Sequence, residues 1–459
     1  MSELTAQALE LAAMTPTDFI FGAATSSWQI EGNSSSRGAS IWDDFANAGR
    51  IKDGALADPA CDHVSLYQTD LDLLSWLNVD AYRFSVSWPR VIPTGSGKAS
   101  AVGLDFYDKL IDGLLARNIK PSLTIYHWDL PVELEAMGGW TWDGISESFA
   151  EYTNILAEKF SDRIDFWSTL NEPWVSAFLG YATAIHAPGR NDAASGFRAA
   201  YNLMLAHGKS LQVLREHNVK NAGTVLNLTS IIATSELAAA QEHIDILQNR
   251  FWLDLLAGRG VSPVLVENTK HILDWDFVDQ AELDCISKPI DWLGINYYTP
   301  TRLGMAAPAS AAVGQDLALY PGTPQPISFN PLPPTTEMGW EIDASSLLTT
   351  LQQTSARLPN TPLYITENGG AFPDHIIDGK VLDFDRVDYF YTHIKTALEA
   401  VAQGIDLRGY FAWSLLDNIE WAEGISKKFG IIHNDFSNQK RTPKLSAEFL
   451  RELNLGRKR

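Results

Sequence analysis

Apolar positions along the chain fall into two alternating textures. Runs of six to eight residues, rich in β-branched and aromatic side chains, occupy positions 19–25, 81–88, 120–127, 164–171, 222–228, 292–298, 362–367 and 407–413. Most lack the polar/apolar alternation of a half-exposed strand, as strands covered on both faces of a parallel sheet do. Between the runs the period lengthens to that of a helix. Leu104, Tyr107, Leu110, Ile111, Leu114 and Leu115 share one face and stop at Asn118, a residue that tolerates a left-handed cap. Ile145, Phe149, Tyr152, Leu156 and Phe160 do the same after Asp143, the expected N-cap, and Val387, Phe390, Ile394, Leu398 and Val401 close at Gly404.

Parallel neighbours need a crossover and a helix supplies one, so eight strands alternating with helices predict an α/β fold, a single (β/α)8 TIM barrel with long βα loops. A doubly wound open sheet is the alternative. The weakest stretch is 299–340, with eight prolines and little periodicity. It reads either as a linker dividing the chain near residue 310 or as a long loop after strand six; the strand spacing resumes beyond it, which favours the loop. The expected organisation is a short helical arm at 1–15 and one barrel catalytic domain at 16–459, a length that a barrel with insertions reaches.

Composition narrows the partners. Lys and Arg number 35 against 56 Asp and Glu, a net charge of −21 that repels nucleic acid and anionic membrane surfaces. The first 14 residues hold no Lys or Arg and no apolar h-region, and no apolar stretch is long enough to span a bilayer. Cys61 and Cys285 alone make neither a disulfide framework nor a zinc site and fit a reducing compartment, so a cytoplasmic location is expected, as monomer or homo-oligomer. The compositional excess is tryptophan, 15 residues.

Barrel enzymes gather their chemistry at the C-terminal ends of the strands. Here those ends bring Gln29, Arg83, His127, Asn171-Glu172, Asn296-Tyr297-Tyr298, Glu367 and Trp413, with Glu420-Trp421 just beyond. Glu172 ends strand four and Glu367 ends strand seven, so their carboxylates can face each other across the mouth. Facing carboxylates are the working parts of glycoside hydrolysis, one protonating the leaving oxygen while the other attacks the anomeric carbon or activates water. Planar donors and acceptors such as Gln29, His127, Asn171 and Glu420 suit sugar hydroxyls, and a flat ring such as Trp413 suits the C–H face. Taken singly, Glu172 before Pro173 fits a helix N-terminus and Glu367 before Asn368-Gly369 fits a turn. Trp28, Trp88 and Trp128 read as packing, and His186 as a brace for the loop bearing Glu172. Gly95-Ser96-Gly97-Lys98 lacks the remainder of a phosphate loop, and the ten histidines include no His-x-His or His-Glu-x-x-His, so no metal and no organic cofactor is expected.

The motifs resemble glycoside hydrolase family 1, the β-glucosidase family, from Phe19-Ile20-Phe21-Gly22 to Arg441-Thr442-Pro443-Lys444. Gln29 with Glu31-Gly32, Tyr82-Arg83-Phe84-Ser85, His127-Trp128-Asp129, Thr169-Leu170-Asn171-Glu172-Pro173, Gly294-Ile295-Asn296-Tyr297-Tyr298, Ile365-Thr366-Glu367-Asn368-Gly369 and Trp413-Ser414-Leu415-Leu416-Asp417-Asn418 occur in family order. The resemblance implies a retaining exo-β-glucosidase acting on terminal β-D-glucosyl residues of small β-glucosides and cello-oligosaccharides, with tolerance for β-galactosides and β-fucosides and some transglycosylation. It makes Glu367 the nucleophile and Glu172 the acid/base, with Arg83 and Tyr298 keeping Glu367 ionised. Asn171 would hold the 2-hydroxyl; Gln29, His127, Glu420 and Trp421 the 3-, 4- and 6-hydroxyls; Asn296 joins the substrate-binding set. Trp413 would form the floor, Phe429 close the glycone pocket and Trp340 line the aglycone entrance. Ile419 departs from the aromatic usual before Glu420-Trp421, which bears on pocket shape. Two competing functions remain: a 6-phospho-β-glucosidase of the same fold, which Glu420 disfavours by repelling phosphate while Lys427 keeps it open, and a non-catalytic sugar-binding protein, which the two carboxylates disfavour.

Overall fold

The computed structural model describes residues 3–305 and 318–458. Eight parallel strands form a closed barrel: β1 (Ile20–Ala24), β2 (Ala81–Ser85), β3 (Lys120–Tyr126), β4 (Phe166–Asn171), β5 (Ala222–Asn227), β6 (Trp292–Asn296), β7 (Leu363–Asn368) and β8 (Leu407–Trp413). They neighbour one another in the order 1-8-7-6-5-4-3-2, with β2 closing on β1, so sequence neighbours pair throughout and the open sheet is set aside. Every residue of β1, β2, β4, β6 and β7 is buried, the physical reason these runs show no alternation.

The three predicted helices form at Ala101–Leu115, Ile145–Phe160 and Phe384–Ala402. Ser100 caps the first by accepting from the Gly103 amide at 3.1 Å, and Asn118 beyond it stands at φ +57°. Asp143 is not the cap of the second. Gly144 holds that position without a side-chain bond, and Asp143 pairs with Arg198 at 2.6 Å instead. At the amino end, Glu3–Met14 is a helix that packs along the C-terminal helix Leu445–Gly456.

The 299–340 stretch carries structure the sequence pattern did not show. Thr301–Met305 pairs antiparallel with Ile327–Phe329 and parallel with Ile231–Ile232, a small sheet whose strands are too short and too exposed to leave a periodic trace. Positions 306–317, including the linker boundary near 310, lie outside the described residues.

Inside the barrel the N-terminal end is filled by rings. Phe166, Trp292 and Tyr364 meet edge to face at centroid distances of 5.4–6.1 Å. Apolar packing thus closes one end of the lumen and leaves the polar side chains to the other.

Candidate active site

Two of the strand ends that matter are irregular. The β4–β5 register shifts between Ser168 and Asn171, and the β7 register shifts between Ile365 and Glu367 against β6 and again before Asn368 against β8. Such bulges re-aim the side chains that follow them. Beyond β4 the backbone of Glu172 enters the left-handed region at φ +46°, and Trp128 and Trp421 do likewise at +78° and +44°. Holding large L-residues there costs about 1–3 kcal/mol each, a strain that clusters where function fixes a geometry. Beyond β7, Gly369 lets two strand ends touch: a Cβ there would sit 1.9 Å from the Trp413 carbonyl oxygen.

These devices bring the carboxylates of Glu172 and Glu367 into one cavity of about 410 Å³ at the C-terminal mouth. The environments differ. Glu367 Oε1 accepts from Arg83 Nη1 at 2.5 Å and Oε2 accepts from the Tyr298 hydroxyl at 2.7 Å. Glu172 Oε1 accepts only from Asn296 Nδ2, at 2.6 Å. Burial raises both carboxyls above their ordinary values. For Glu172 the charge on Glu367 pushes further up and the carboxyl lies well above 4.5, whereas Arg83, Tyr298 and Asn296 restrain the rise of Glu367. The anionic form therefore resides on Glu367 and the proton on Glu172.

A continuous hydrogen-bond chain orients the rest. Arg83 Nη2 donates to Asn171 Oδ1 at 2.6 Å, and Asn171 Nδ2 donates to His127 Nε2 at 3.0 Å. That bond puts the imidazole proton on Nδ1. Burial, then the Arg83 charge, lowers His127 far enough to keep it neutral. Thr366 donates to Asn296 Oδ1 at 2.8 Å, which turns the amide nitrogen toward Asn171 Oδ1 at 3.0 Å and Glu172 Oε1 at 2.6 Å. Glu420 is raised to about 8 by burial, then by the charges of Glu367 and Glu423, and its Oε2 has no partner in the protein.

The aromatic residues form the walls. Trp413 stacks on His127 at 5.8 Å, and Trp421 packs on Trp128 at 4.4 Å and Trp28 at 5.9 Å. Phe429, Trp340 and Tyr298 meet on the opposite side at 5.4–6.2 Å. The structure thus brings His127, Glu172, Asn296, Tyr298, Trp340, Glu367, Trp413, Glu420, Trp421 and Phe429 to one cavity wall. Gln29, Arg83 and Asn171 stand fully buried behind it. Gln29 accepts from Ser26 Oγ at 2.5 Å and donates to the Ile419 carbonyl at 2.7 Å, so it fastens the segment leading to Glu420 while its Oε1 keeps a second lone pair. Trp128, taken from sequence as packing, also lines the cavity, as do His186 and the unpredicted Trp174 and Tyr320, whose rings lie 5.5 Å apart. Trp174 follows Glu172 by two residues and was within reach of sequence; Tyr320 sits in the patternless stretch. A larger cavity of about 600 Å³, lined by Arg250 and Arg357 among others, contains neither carboxylate. Among the described residues one grouping has the spacing for a metal, Asp374, Asp417 and His433, but the Lys444 ammonium lies 2.7 Å from both carboxylates and takes the place of a cation.

A (β/α)8 barrel whose mouth opposes a protonated and an ionised glutamate among aromatic walls defines a glycosidase. The chain belongs to glycosyl hydrolase family 1, whose sequence model matches residues 11–458. It is 41% identical over 443 residues to beta-glucosidase A of Thermotoga maritima, covering 94% of this chain and 96% of that protein. It is 40% identical over 450 residues to a bifunctional beta-D-glucosidase/beta-D-fucosidase of Bifidobacterium breve, covering 95% and 97%. The beta-glucosidase from Thermotoga maritima in complex with deoxynojirimycin superposes with a TM-score of 0.89 at 38% identity, over 96% of this chain and 99% of that one.

Proposed function

We propose that the protein is a retaining exo-β-glucosidase that releases terminal β-D-glucosyl residues from small β-glucosides and cello-oligosaccharides by double displacement. The observation that carries this reading is the unequal pair of buried glutamates in one cavity: Glu367 accepts from Arg83 at 2.5 Å and Tyr298 at 2.7 Å, while Glu172, bonded to Asn296 at 2.6 Å, is pushed well up by burial and by the Glu367 charge. An anionic nucleophile beside a proton-bearing acid is the arrangement a retaining mechanism uses. Glu367 attacks the anomeric carbon while Glu172 protonates the glycosidic oxygen. Once Glu367 is an ester its charge is gone, the Glu172 carboxyl falls, and Glu172 serves as base toward water. Arg83 and Tyr298 keep the nucleophile ionised. Asn171 meets the 2-hydroxyl, where contacts tighten in the transition state. Gln29, His127, Glu420 and Trp421 read the remaining hydroxyls over the Trp413 floor; Asn296 holds the Glu172 carboxyl; Phe429 closes the glycone side and Trp340 the aglycone side.

Relatives acting as beta-glucosidase and beta-fucosidase support the glucosidase assignment and a side activity on β-fucosides and β-galactosides. Alcohols in place of water give transglycosylation. Glu420 in the cavity favours plain over 6-phosphorylated substrates, and Lys427 is engaged outside the cavity with the Glu337 carbonyl at 2.9 Å. The reading takes 16–459 as one catalytic domain with 1–15 as an arm, supported by a buried cluster running from Leu11 to Leu453. It takes the enzyme as cytoplasmic, supported by the two free thiols at Cys61 and Cys285; among the described residues no helix is long and apolar enough to cross a membrane. Replacing Glu367 by Ala abolishes hydrolysis of an aryl β-glucoside, and a 2-fluoro glucoside labels Glu367 in the native enzyme. Unchanged turnover in the variant, or labelling elsewhere, overturns the assignment.

A further inference from the structure

The glycone side of the cavity is built by two loops that leave adjacent strands. One follows Glu367 directly, from Gly369 to Asp374. The other runs from Ser414 to Phe429 and carries Glu420 and Trp421. Both are tied to one buried guanidinium. Arg386, fully buried on the Phe384–Ala402 helix, donates through Nε to the Gly370 carbonyl at 3.4 Å and through Nη2 to the Lys428 carbonyl at 2.5 Å, the peptide just before Phe429. Its Nη1 meets Asp374 at 3.2 Å and also Asp383, whose carboxylate accepts from Ser446 Oγ at 2.6 Å. Lys444 completes the knot, bridging Asp374 on the first loop and Asp417 on the second at 2.7 Å each. Asp417 in turn accepts from the Gly430 amide at 3.0 Å and faces His433 Nδ1 at 3.1 Å, closing the neck of the second loop. The neck is tight: a Cβ on Gly430 would lie 2.0 Å from the Asp417 nitrogen.

We propose that Arg386, braced by Lys444, is a positioning residue for substrate discrimination, fixing the loop that carries Glu420 and Phe429 relative to the strand that carries Glu367. The inference rests on the functional reading above, in which Glu420 reads the hydroxyls remote from the anomeric carbon. The two loops share no strand pairing of their own along this side, so their mutual setting is carried by side chains that bridge them. A buried cation that answers two carboxylates would serve folding alone; one that also spends its nitrogens on backbone carbonyls of both loops sets a distance. Lysine at 386 preserves the charge and cannot span those carbonyls.

The test compares nitrophenyl β-glucoside with nitrophenyl 6-deoxy-β-glucoside, which lacks only the 6-hydroxyl and shares the leaving group. The ratio of their kcat/KM values is independent of the fraction of enzyme that is folded. In Arg386→Lys and Arg386→Gln the ratio falls by about tenfold, the worth of one mis-set hydrogen bond, because the glucoside loses a contact the 6-deoxyglucoside never made. Thermal midpoints measured alongside drop more for Gln than for Lys, while the ratio falls in both. If Gln fails to fold, Lys alone decides. A ratio within twofold of the native value in Arg386→Lys, with activity on both substrates lowered equally or not at all, overturns the proposal and leaves Arg386 a stabilising residue. A native enzyme that turns over neither glycoside overturns the functional reading, and the inference with it.

Discussion

Replacing Glu367 by Gln removes a charge while keeping a side chain of the same shape, so it isolates the electrostatic part of what raises Glu172. Burial comes first among the causes and is unaltered by the substitution; the Glu367 charge comes second and vanishes. A retaining mechanism places the two carboxyl groups about 5.5 Å apart. At an effective dielectric constant of about 20, two unit charges at that distance interact by about 3 kcal/mol, or about 2 pKa units. The direction is fixed by sign: removing a negative neighbour makes ionisation of Glu172 easier, and the Arg83 guanidinium, released from its partner at 2.5 Å, acts the same way. The expected outcome is a Glu172 carboxyl that titrates about 2 pKa units lower in Glu367→Gln than in the native enzyme, followed by carbon NMR of labelled glutamate across pH. The native enzyme trapped as its 2-fluoroglucosyl ester shows a similar fall. A change below about half a unit, or a rise, refutes the reasoning, because burial alone would then set the acid.

Two further substitutions probe the same cavity. Tyr298→Phe removes the hydroxyl that donates to Glu367 Oε2 at 2.7 Å; a hydrogen bond to a charged group contributes about 1.5–3 kcal/mol, so kcat/KM falls about 10- to 150-fold, and the acidic limb of its pH profile moves to higher pH because the ionised nucleophile has lost a donor. Glu420→Gln changes how stability depends on pH. A carboxyl raised from 4.5 to about 8 binds its proton more tightly in the folded state, so the native enzyme loses stability as pH climbs between those values, by on the order of 5 kcal/mol at 1.36 kcal/mol per unit. The variant lacks that slope, and its thermal midpoint relative to the native enzyme is higher at pH 9 than at pH 5; parallel pH dependences would rule the account out.

The barrel was legible because its strands are buried on both faces, which leaves continuous apolar runs that nothing else in the chain imitates. Their ends were less so. The run at 81–88 overshoots β2, which stops at Ser85, because Trp88 is apolar for a different reason: it opens a helical turn with Pro89 at its first positions. Asp143 was a sound cap by composition and lost the place to Gly144 once Arg198, 55 residues away, offered it a charge. The small sheet in 299–340 could not be read because strands of two to five residues show no period.

The site divides along the same line. Sequence singles out Glu172 and Glu367 at strand ends, but nothing local distinguishes a protonated carboxyl from an ionised one. Each is a glutamate beside an asparagine on a buried strand. The distinction comes from β2, which supplies Arg83 to one of them, and from the end of β6, where Tyr298 turns to Glu367 and Asn296 to Glu172. Even the Asn296 amide owes its direction to a third strand, since Thr366 holds its Oδ1 and leaves the nitrogen to face Glu172. Thr366 immediately precedes Glu367 and carries no chemistry of its own, so residue type gave no reason to select it. Side chains from successive positions of a regular strand point to opposite faces; the register shift between Ile365 and Glu367 is what allows both to act at one mouth. The environments in this site therefore follow from pairings between strands distant in sequence, and a pattern confined to one strand can single out two carboxyls without ordering their protons.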